Sequence, residues 1–400
     1  YLNTIPMGGR YYGVEAASLA YFNKHVWELS LAECASLAAI PNATAIYSPV
    51  TESGRANNKK RQEIILSEMK KQGYINEKEY EEALKQPLNF ADPSATQVAT
   101  SRQNYFIDQV VTDVANDLMD KYNMSWDEAL RAIYNSGYKI YSTCDPKVQE
   151  ALDKVFENDK YFEIIDPNIE HPQAAMVVID PYTGHVRGIR GGYGKKTADL
   201  TFNRATQMKR SVGSSFKPIV DYAPAIDMRL ATAATVVDDV PVYMDPVNQK
   251  GKLYPRNFTG TYQGLTTIRD AIKRSVNVVA AKVFSEYTKV DNAFMYLKRV
   301  GIDLKKSEDG NLSVSLGGLT HGISPLQLAA AYAPFVNRGL YVKPVTYTKV
   351  VDSNGNVVLE NEVKTSIVYE ESTAFIMTEM LKNVCRSGGT AYYYDSVAGG

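Results

Sequence analysis

Three serines stand just ahead of a lysine in "RSVGSSFKPIV" (Arg210 to Val220), and one of them, Ser214, lies three residues before Lys217. On a helix that spacing puts both side chains on one face, about 5–6 Å apart at Cβ, near enough for an amine to take a hydroxyl proton. Such a pair does nucleophilic catalysis without a histidine, provided that burial or a nearby cation lowers the lysine pKa and leaves the amine neutral. Pro218 has no N–H and is tolerated only near a helix start. It therefore places Ser214 at the helix N-terminus, where the backbone dipole favours a developing oxyanion. Chance alone supplies about two such spacings in a chain of this length, and the chain holds a second, Ser67 to Lys70 in "LSEMKKQG". That copy sits in a long charged helix, with no glycine before it and no proline after it, and reads as a solvated face. Ser211 and Ser215 have no lysine three residues on.

Downstream, "RSVNV" offers a hydroxyl and an amide two residues apart, Ser275 and Asn277. They are either polar residues facing water on a helix or a proton relay to Lys217 (Ser275) and a clamp for a substrate amide (Asn277). The four histidines, His25, His171, His185 and His321, share no metal-binding spacing, and a Ser-His-Asp triad would need one of them beside a buried serine. "GIRGGYG" (Gly188 to Gly194) follows a strand instead of opening a helix, which argues against a phosphate loop. "SLGGLTHG" (Ser315 to Gly322) makes a turn or lets backbone approach a ligand closely; the turn is favoured.

These residues need elements to hold them. The 400-residue chain is 44% hydrophobic, enough for two or three globular domains. With a net charge of −1 and 22% charged residues it has no field that would favour nucleic acid. Cys34, Cys144 and Cys385 form neither a zinc pattern nor a disulfide framework and are expected to be small buried hydrophobes. No run reaches the ~18 apolar residues of a membrane span.

Tyr11 to Ala39 predicts two helices, the second opened by a Ser30 to Glu33 capping box and stopped at Pro41. A charged amphipathic helix over Arg55 to Gly73 and another opened by Asn76 and Glu79 follow. The Pro-containing, polar stretch Gln86 to Asn104 suits a linker. Helices are then predicted at Tyr105 to Tyr122 and Trp126 to Tyr134, a strand at Tyr138 to Thr143, and a helix capped by Asp145 and Pro146. Ala174 to Gly192 reads as a β-hairpin. "TTIRDAIKRSVNVVAAKVFSEY" reads as helical, as does "SPLQLAAAYAPFVNRG", with Ser324 as N-cap and Pro325 at the first helical position. A last hairpin turns at Asn354 and Gly355. Strands at both ends of a helical middle predict an α+β domain from about Gln149 onwards.

Taken together, these segments resemble a class A penicillin-binding protein, the two-headed enzyme that polymerises and crosslinks bacterial peptidoglycan. "RSVGSSFKP" is similar to the first transpeptidase motif, with Ser214 as nucleophile and Lys217 as base. "SVN" is similar to the second, with Ser275 as proton relay and Asn277 as substrate clamp. "AAMVVIDPYTGHVRGIRGG" resembles the first hairpin of that domain and "SLGGLTHGISPLQLAAAYAPFVNRG" the segment after its second motif. "YLNTIPMGGRYYGVEAASLAYFNK" resembles the fourth glycosyltransferase motif and "KRQEIILSEM" the fifth, which puts Tyr1, Asn3 and Arg61 on motif positions in a supporting role.

The resemblance implies a multidomain chain cut at both ends. Residues 1–88 would be the all-α C-terminal part of a lysozyme-like glycosyltransferase domain, 89–148 a linker region, and 149–400 an α+β penicillin-recognising domain of the β-lactamase/transpeptidase type without its last strands. It implies a single-pass membrane anchor and catalytic glutamates upstream of Tyr1, with the domains on the extracytoplasmic face. No cofactor is implied here, apart from a divalent metal for the missing glycosyltransferase half. Implied partners are peptidoglycan stem peptides, lipid II, β-lactams and the cell-wall synthesis complex, with no nucleic acid. The family's third motif, Lys-Thr-Gly, is expected beyond "GGTAYYYDSVAGG"; "KTS" at Lys364 to Ser366 precedes that segment and is no substitute. Without that motif the 400 residues are expected to be inactive on their own. The competing readings are an inert binding or sensing module on the same fold and a serine β-lactamase. For the latter, Glu286, Asp291 and Asp303 all lack the expected Leu-Asn after them.

Overall fold

The computed structural model describes residues 2–8, 11–91, 103–162, 172–245 and 250–394. They divide into two units, Tyr1–Arg102 with Arg131–Gly137, and Gln103–Leu130 with Tyr138–Gly400. In the first unit helices α1 (Val14–Phe22), α2 (Leu31–Ala39), α3 (Glu52–Lys71) and α4 (Glu77–Lys85) follow one another. At α2 the Glu33 amide donates to Ser30 Oγ at 3.3 Å while Glu33 accepts from the Ser30 amide at 2.9 Å; Asn76 and Glu79 do the same for α4. The third helix begins at Glu52, ahead of the predicted Arg55, because Thr51 Oγ1 accepts the Gly54 amide. Tyr21, Phe22, Leu37 and Ile40 fill one small core, and Ala32, Leu66 and Ala83 another. Lys70 pairs with Glu77 and not with Ser67, so the second Ser/Lys spacing is a solvated face as expected.

The cysteines depart from expectation. Cys34 is exposed and Cys144 and Cys385 are half-buried, all as free thiols. In α2 the buried positions are Ala32, Glu33, Ala35, Ser36, Leu37 and Ala39, which leaves positions 34 and 38, one turn apart, toward solvent.

The second unit holds α5 (Tyr105–Tyr122), the start of α6 (Trp126–Asn135), β1 (Lys139–Ser142), α7 (Pro146–Phe156), β2 (Met176–Ile179) and β3 (Val186–Arg190). A 3-10 turn (Gly213–Phe216), a π-helical segment (Pro218–Tyr222) and α8 (Ala223–Asp227) come next. Then follow β4 (Val236–Asp239), β5 (Tyr243–Asp245), β6 (Lys250–Leu253), β7 (Gly264–Thr267), α9 (Ile268–Arg274), α10 (Asn277–Lys282) and α11 (Val290–Arg299). The described residues close with α12 (Pro325–Val336), β8 (Leu340–Val342), β9 (Tyr347–Val351), β10 (Val357–Glu360), β11 (Thr365–Ile367) and α13 (Glu371–Lys382). All strand pairs are antiparallel: β1-β9-β10, β2-β3, β4-β7, β5-β6 and β8-β11.

Of segment 89–148, residues 103–130 and 138–148 contribute folded elements to this unit; its stretch 92–102 lies outside the described residues. Lys139 pairs with Val351 across β1 and β9. Thr346 Oγ1 donates to Asp113 of α5 at 2.5 Å, and the buried pair Lys196–Asp108 ties α5 to the loop after β3. Asp145 caps α7 as expected, accepting the Lys147 and Val148 amides.

At the centre lies the chain from Phe216 to Ile226. Every residue in it is buried, and Ile219, Val220 and Ala223 pack in one core with Val279, Val283, Leu297 and Met377. A segment apolar all round, save Lys217 and Asp221, belongs inside a domain. The candidate nucleophile turn is thus mounted on the most deeply packed element.

Candidate active site

Sequence spacing predicts an α-helix from Ser214 onwards, but the chain makes a 3-10 turn and then a π-helical segment. Pro218 is the cause: it has no N–H to donate to Ser214 O, and its ring crowds that carbonyl in an α-helix. Instead the Lys217 amide donates to Ser214 O three residues back. Tyr332 Oη donates to Ser215 O at 2.6 Å. Irregular turns of this kind recur at functional sites. Ser214 is exposed, and Lys217 is 2% exposed.

The Lys217 amine donates to Asn277 Oδ1 at 2.6 Å, to the Ser275 carbonyl at 2.9 Å and lies 3.2 Å from Ser275 Oγ. Burial pulls its pKa from 10.5 down to about 8, against the opposing pull of Asp221. An amide oxygen and a carbonyl accept only, so they take two amine hydrogens. In the neutral amine the lone pair is left for a hydroxyl proton. A cavity of about 200 Å3 is lined by Ser214, Ser215, Lys217, Ser275, Tyr222 and Tyr332.

"SVN" does not lie on a continuous helix. Ser275 ends α9 in the left-handed region, with φ 55°, and Val276 leads into α10 at Asn277. A serine with positive φ is strained, and such strain persists only where surrounding contacts hold it. The break brings both side chains onto the lysine. Asn277 Nδ2 donates to Arg256 O at 2.7 Å, and because a carbonyl only accepts, this fixes Oδ1 as the end that faces Lys217.

Two features of the site escape a sequence reading. Asp221, one turn after Lys217, is fully buried; Ser315 Oγ donates to its Oδ2 at 3.2 Å and Oδ1 has no partner. Burial pushes this carboxyl well above the usual range, and the Lys217 charge draws it back in part. A lone Asp in an apolar run, "KPIVDYAPAI", is the only local signal. The second is the 315–323 loop, which is more than a turn. The Gly213 amide donates to Gly317 O, Ser211 Oγ donates to Leu319 O at 3.0 Å, and Arg210 pairs with Ile323. Gly317 has φ +71°, and a Cβ there would lie 2.0 Å from Gly213 O. The close approach is to the nucleophile loop itself.

The remaining candidates stand elsewhere. Tyr1 lies outside the described residues, as does His171. Asn3 is exposed, while Arg61 stacks over Tyr47 at 5.7 Å with its buried Nε unpaired; no hydrogen bond joins Asn3 to Arg61 among the described residues. Thr365 and Ser366 lie on β11, paired to β8, and line a different cavity from Ser214. His25 contacts Glu15 and His321 contacts Glu308. Among the described residues there is no cluster of three His, Cys, Asp or Glu side chains that could hold a metal ion. No helix of the described residues is long and apolar enough to cross a membrane.

Comparison with known proteins agrees with this architecture. Residues 174–399 match the penicillin binding protein transpeptidase domain and residues 1–70 match the transglycosylase family. Penicillin-binding protein 1A of Clostridium botulinum is 35% identical over 98% of this chain and 48% of its own length. Penicillin-binding protein 1F of Bacillus subtilis is 33% identical over 100% of the chain and 52% of its own length. The chain therefore spans about half the length of the relatives it matches. Among solved structures, penicillin-binding protein 1A of Haemophilus influenzae superposes with a TM-score of 0.75 at 21% identity, covering 99% of this chain and 74% of that one. PonA1 of Mycobacterium tuberculosis in complex with penicillin V gives 0.55 at 23% identity, covering 68% and 70%. At those identities the likeness is one of fold.

Proposed function

This chain belongs to the class A penicillin-binding proteins, and from that premise we propose that its second unit is the acyl-serine D,D-transpeptidase of a peptidoglycan synthase. Substrates are stem peptides ending in D-Ala-D-Ala. Neutral Lys217 takes the Ser214 Oγ proton as Oγ forms a bond to the carbonyl carbon of the penultimate D-alanine. The peptide C–N bond breaks, and the proton passes from Lys217 through Ser275 to the departing D-alanine amine. An amine from a neighbouring stem peptide attacks the acyl-serine to form the crosslink, and its proton returns to Ser214; water in its place gives carboxypeptidase activity. Asn277 clamps the donor peptide amide. β-Lactams present the same acyl group and remain on Ser214.

The observation that supports this most is the buried Lys217 amine, drawn to about 8 and held by Ser275 and Asn277 beside Ser214. A buried lysine with its charge lowered toward neutrality is the base that a serine nucleophile requires. The region matched to transglycosylase, with Asn3 and Arg61 in support, belongs to lipid II polymerisation in the whole protein. That work takes place at the outer face of the bacterial cell membrane, alongside other cell-wall synthesis proteins.

The test is fluorescent penicillin added to the protein expressed from its complete reading frame. Labelling is expected to map to Ser214 and to disappear in Ser214→Ala. Label persisting in that variant would remove Ser214 as nucleophile, and an unlabelled wild type would favour an inert binding module.

A further inference from the structure

The short helix α10 begins without a cap of its own: Val276, its N-cap residue, offers no side-chain acceptor. The first amides of a helix lack intrahelical partners and need one from elsewhere. Here a residue twenty positions upstream supplies it. Asn257 Oδ1 accepts the Asn277 amide at 3.0 Å and the Val278 amide at 3.2 Å. Asn257 is itself held from behind: its Nδ2 donates to Asp239 Oδ1 at 2.7 Å and to Thr261 O at 3.0 Å. Asp239, 1% exposed at the end of β4, uses its other oxygen to accept the Gln263 amide at 3.0 Å.

The chemistry of these groups leaves the chain one direction. The Asp239 carboxylate only accepts, so the amide of Asn257 must turn its NH2 end there and its oxygen toward α10. The adjoining Arg256 carbonyl then fixes the Asn277 side chain in the same way, leaving Asn277 Oδ1 on the Lys217 amine at 2.6 Å. A single loop thus sets both the backbone position and the side-chain orientation of Asn277. We infer that Asn257 and Asp239 are positioning residues for acyl transfer: through Asn277 they hold the lysine amine and aim its lone pair at the nucleophile. The inference rests on Lys217 acting as the base, and the pH dependence of acylation in the wild type and in Lys217→Arg tests that separately.

The test exchanges donor and acceptor. Asn257→Asp sets two carboxylates against each other, where the distance is now 2.7 Å. Adding Asp239→Asn restores that pairing with its direction reversed, since the new amide can donate to position 257 and still accept from Gln263, while Thr261 O stays without its donor. What is read is penicillin acylation, separated into the binding constant and the first-order acylation rate, with Tm alongside. Asn257→Asp is expected to slow the acylation step about ten- to a hundredfold, the range for a buried hydrogen bond broken on one side, with binding little changed. The double variant is expected to recover part of that rate, the loss of the Thr261 contact remaining. Asp239→Asn alone, which loses only one bond, is expected to slow the step less and covers the case in which Asn257→Asp fails to fold. An unchanged acylation rate in both single variants would overturn the inference. So would a double variant that recovers Tm but not the rate, or a loss confined to the binding constant.

Discussion

Ser214 and Lys217 stand out in the sequence because their relation is local: three residues of spacing and a proline single out the pair, and both line one cavity. The state of the lysine was not legible, because it depends on groups far along the chain. Ser275, Asn277, Asp221 and Ser315 reach the same few ångströms only in the folded unit. That burial has a readable consequence. The unfolded chain keeps the Lys217 proton to 10.5 and the folded one releases it at about 8. The cost of burying the cation is therefore full below about 8 and fades as pH rises toward 10.5. Acylation needs the neutral amine, so its rate is expected to rise with pH along a limb with its midpoint near 8, measured by penicillin acylation from pH 6 to 10. Lys217→Arg keeps a cation of similar length that does not deprotonate. It is expected to lower acylation by about a hundred- to ten-thousandfold, with no recovery at alkaline pH. A limb that survives in Lys217→Arg would assign the titration to another group.

At the scale of elements, the sequence carried what neighbours in the chain decide. Ser324 and Gln327 cap α12 reciprocally, as Ser30 and Glu33 cap α2, and Pro325 sits at the first helical position. The helix drawn through "RSVNV" was broken because Ser275 takes a left-handed conformation, which no local pattern of apolar residues announces. The loop from Ser315 to Ile323 shows no more than a turn in the sequence for a similar reason, since its glycines meet the loop that carries Ser214 roughly a hundred residues away in sequence. Two glycines separate backbone strain from close approach. Gly213 has φ +59° with nothing near an added Cβ, whereas at Gly317 the Cβ meets Gly213 O at 2.0 Å. Gly213→Ala is expected to cost about 1–2 kcal/mol of stability, the strain of a left-handed residue, and to leave acylation near the wild-type rate. Gly317→Ala must push the nucleophile loop aside, and a shift of about 1 Å is enough to slow acylation about a hundredfold. Comparable rates for the two variants would mean that the contact at Gly317 does not position Ser214.

Across the whole molecule, the order of helical and then mixed elements followed from periodicity, but the point at which the second unit begins did not. The expected start near Gln149 rested on strands at both ends of a helical middle. Strand pairing overrides it. β1 lies against β9, Lys139 opposite Val351, and a partner about two hundred residues away leaves no trace in local sequence. Thr143 Oγ1 donates to Val186 O at 2.7 Å, and α5 anchors the same region through Asp113 and Asp108. A chain shortened to begin at Gln103 keeps all of these contacts, although residues 131–137, which group with the first unit, are expected to fray. A chain shortened to begin at Gln149 loses β1, α5 and the Asp145 cap of α7 together. Each removal leaves buried acceptors or apolar surface open, against a net stability of only about 5–15 kcal/mol for a typical domain. The Gln103 form, carried through to the end of its reading frame, is expected to label with fluorescent penicillin at the full-length rate and to melt cooperatively. The Gln149 form is expected to be unfolded by circular dichroism and unlabelled. Equal labelling of both would mean that residues 103–148 are dispensable to the acylating unit, and that β1 and α5 rest on it without supporting it.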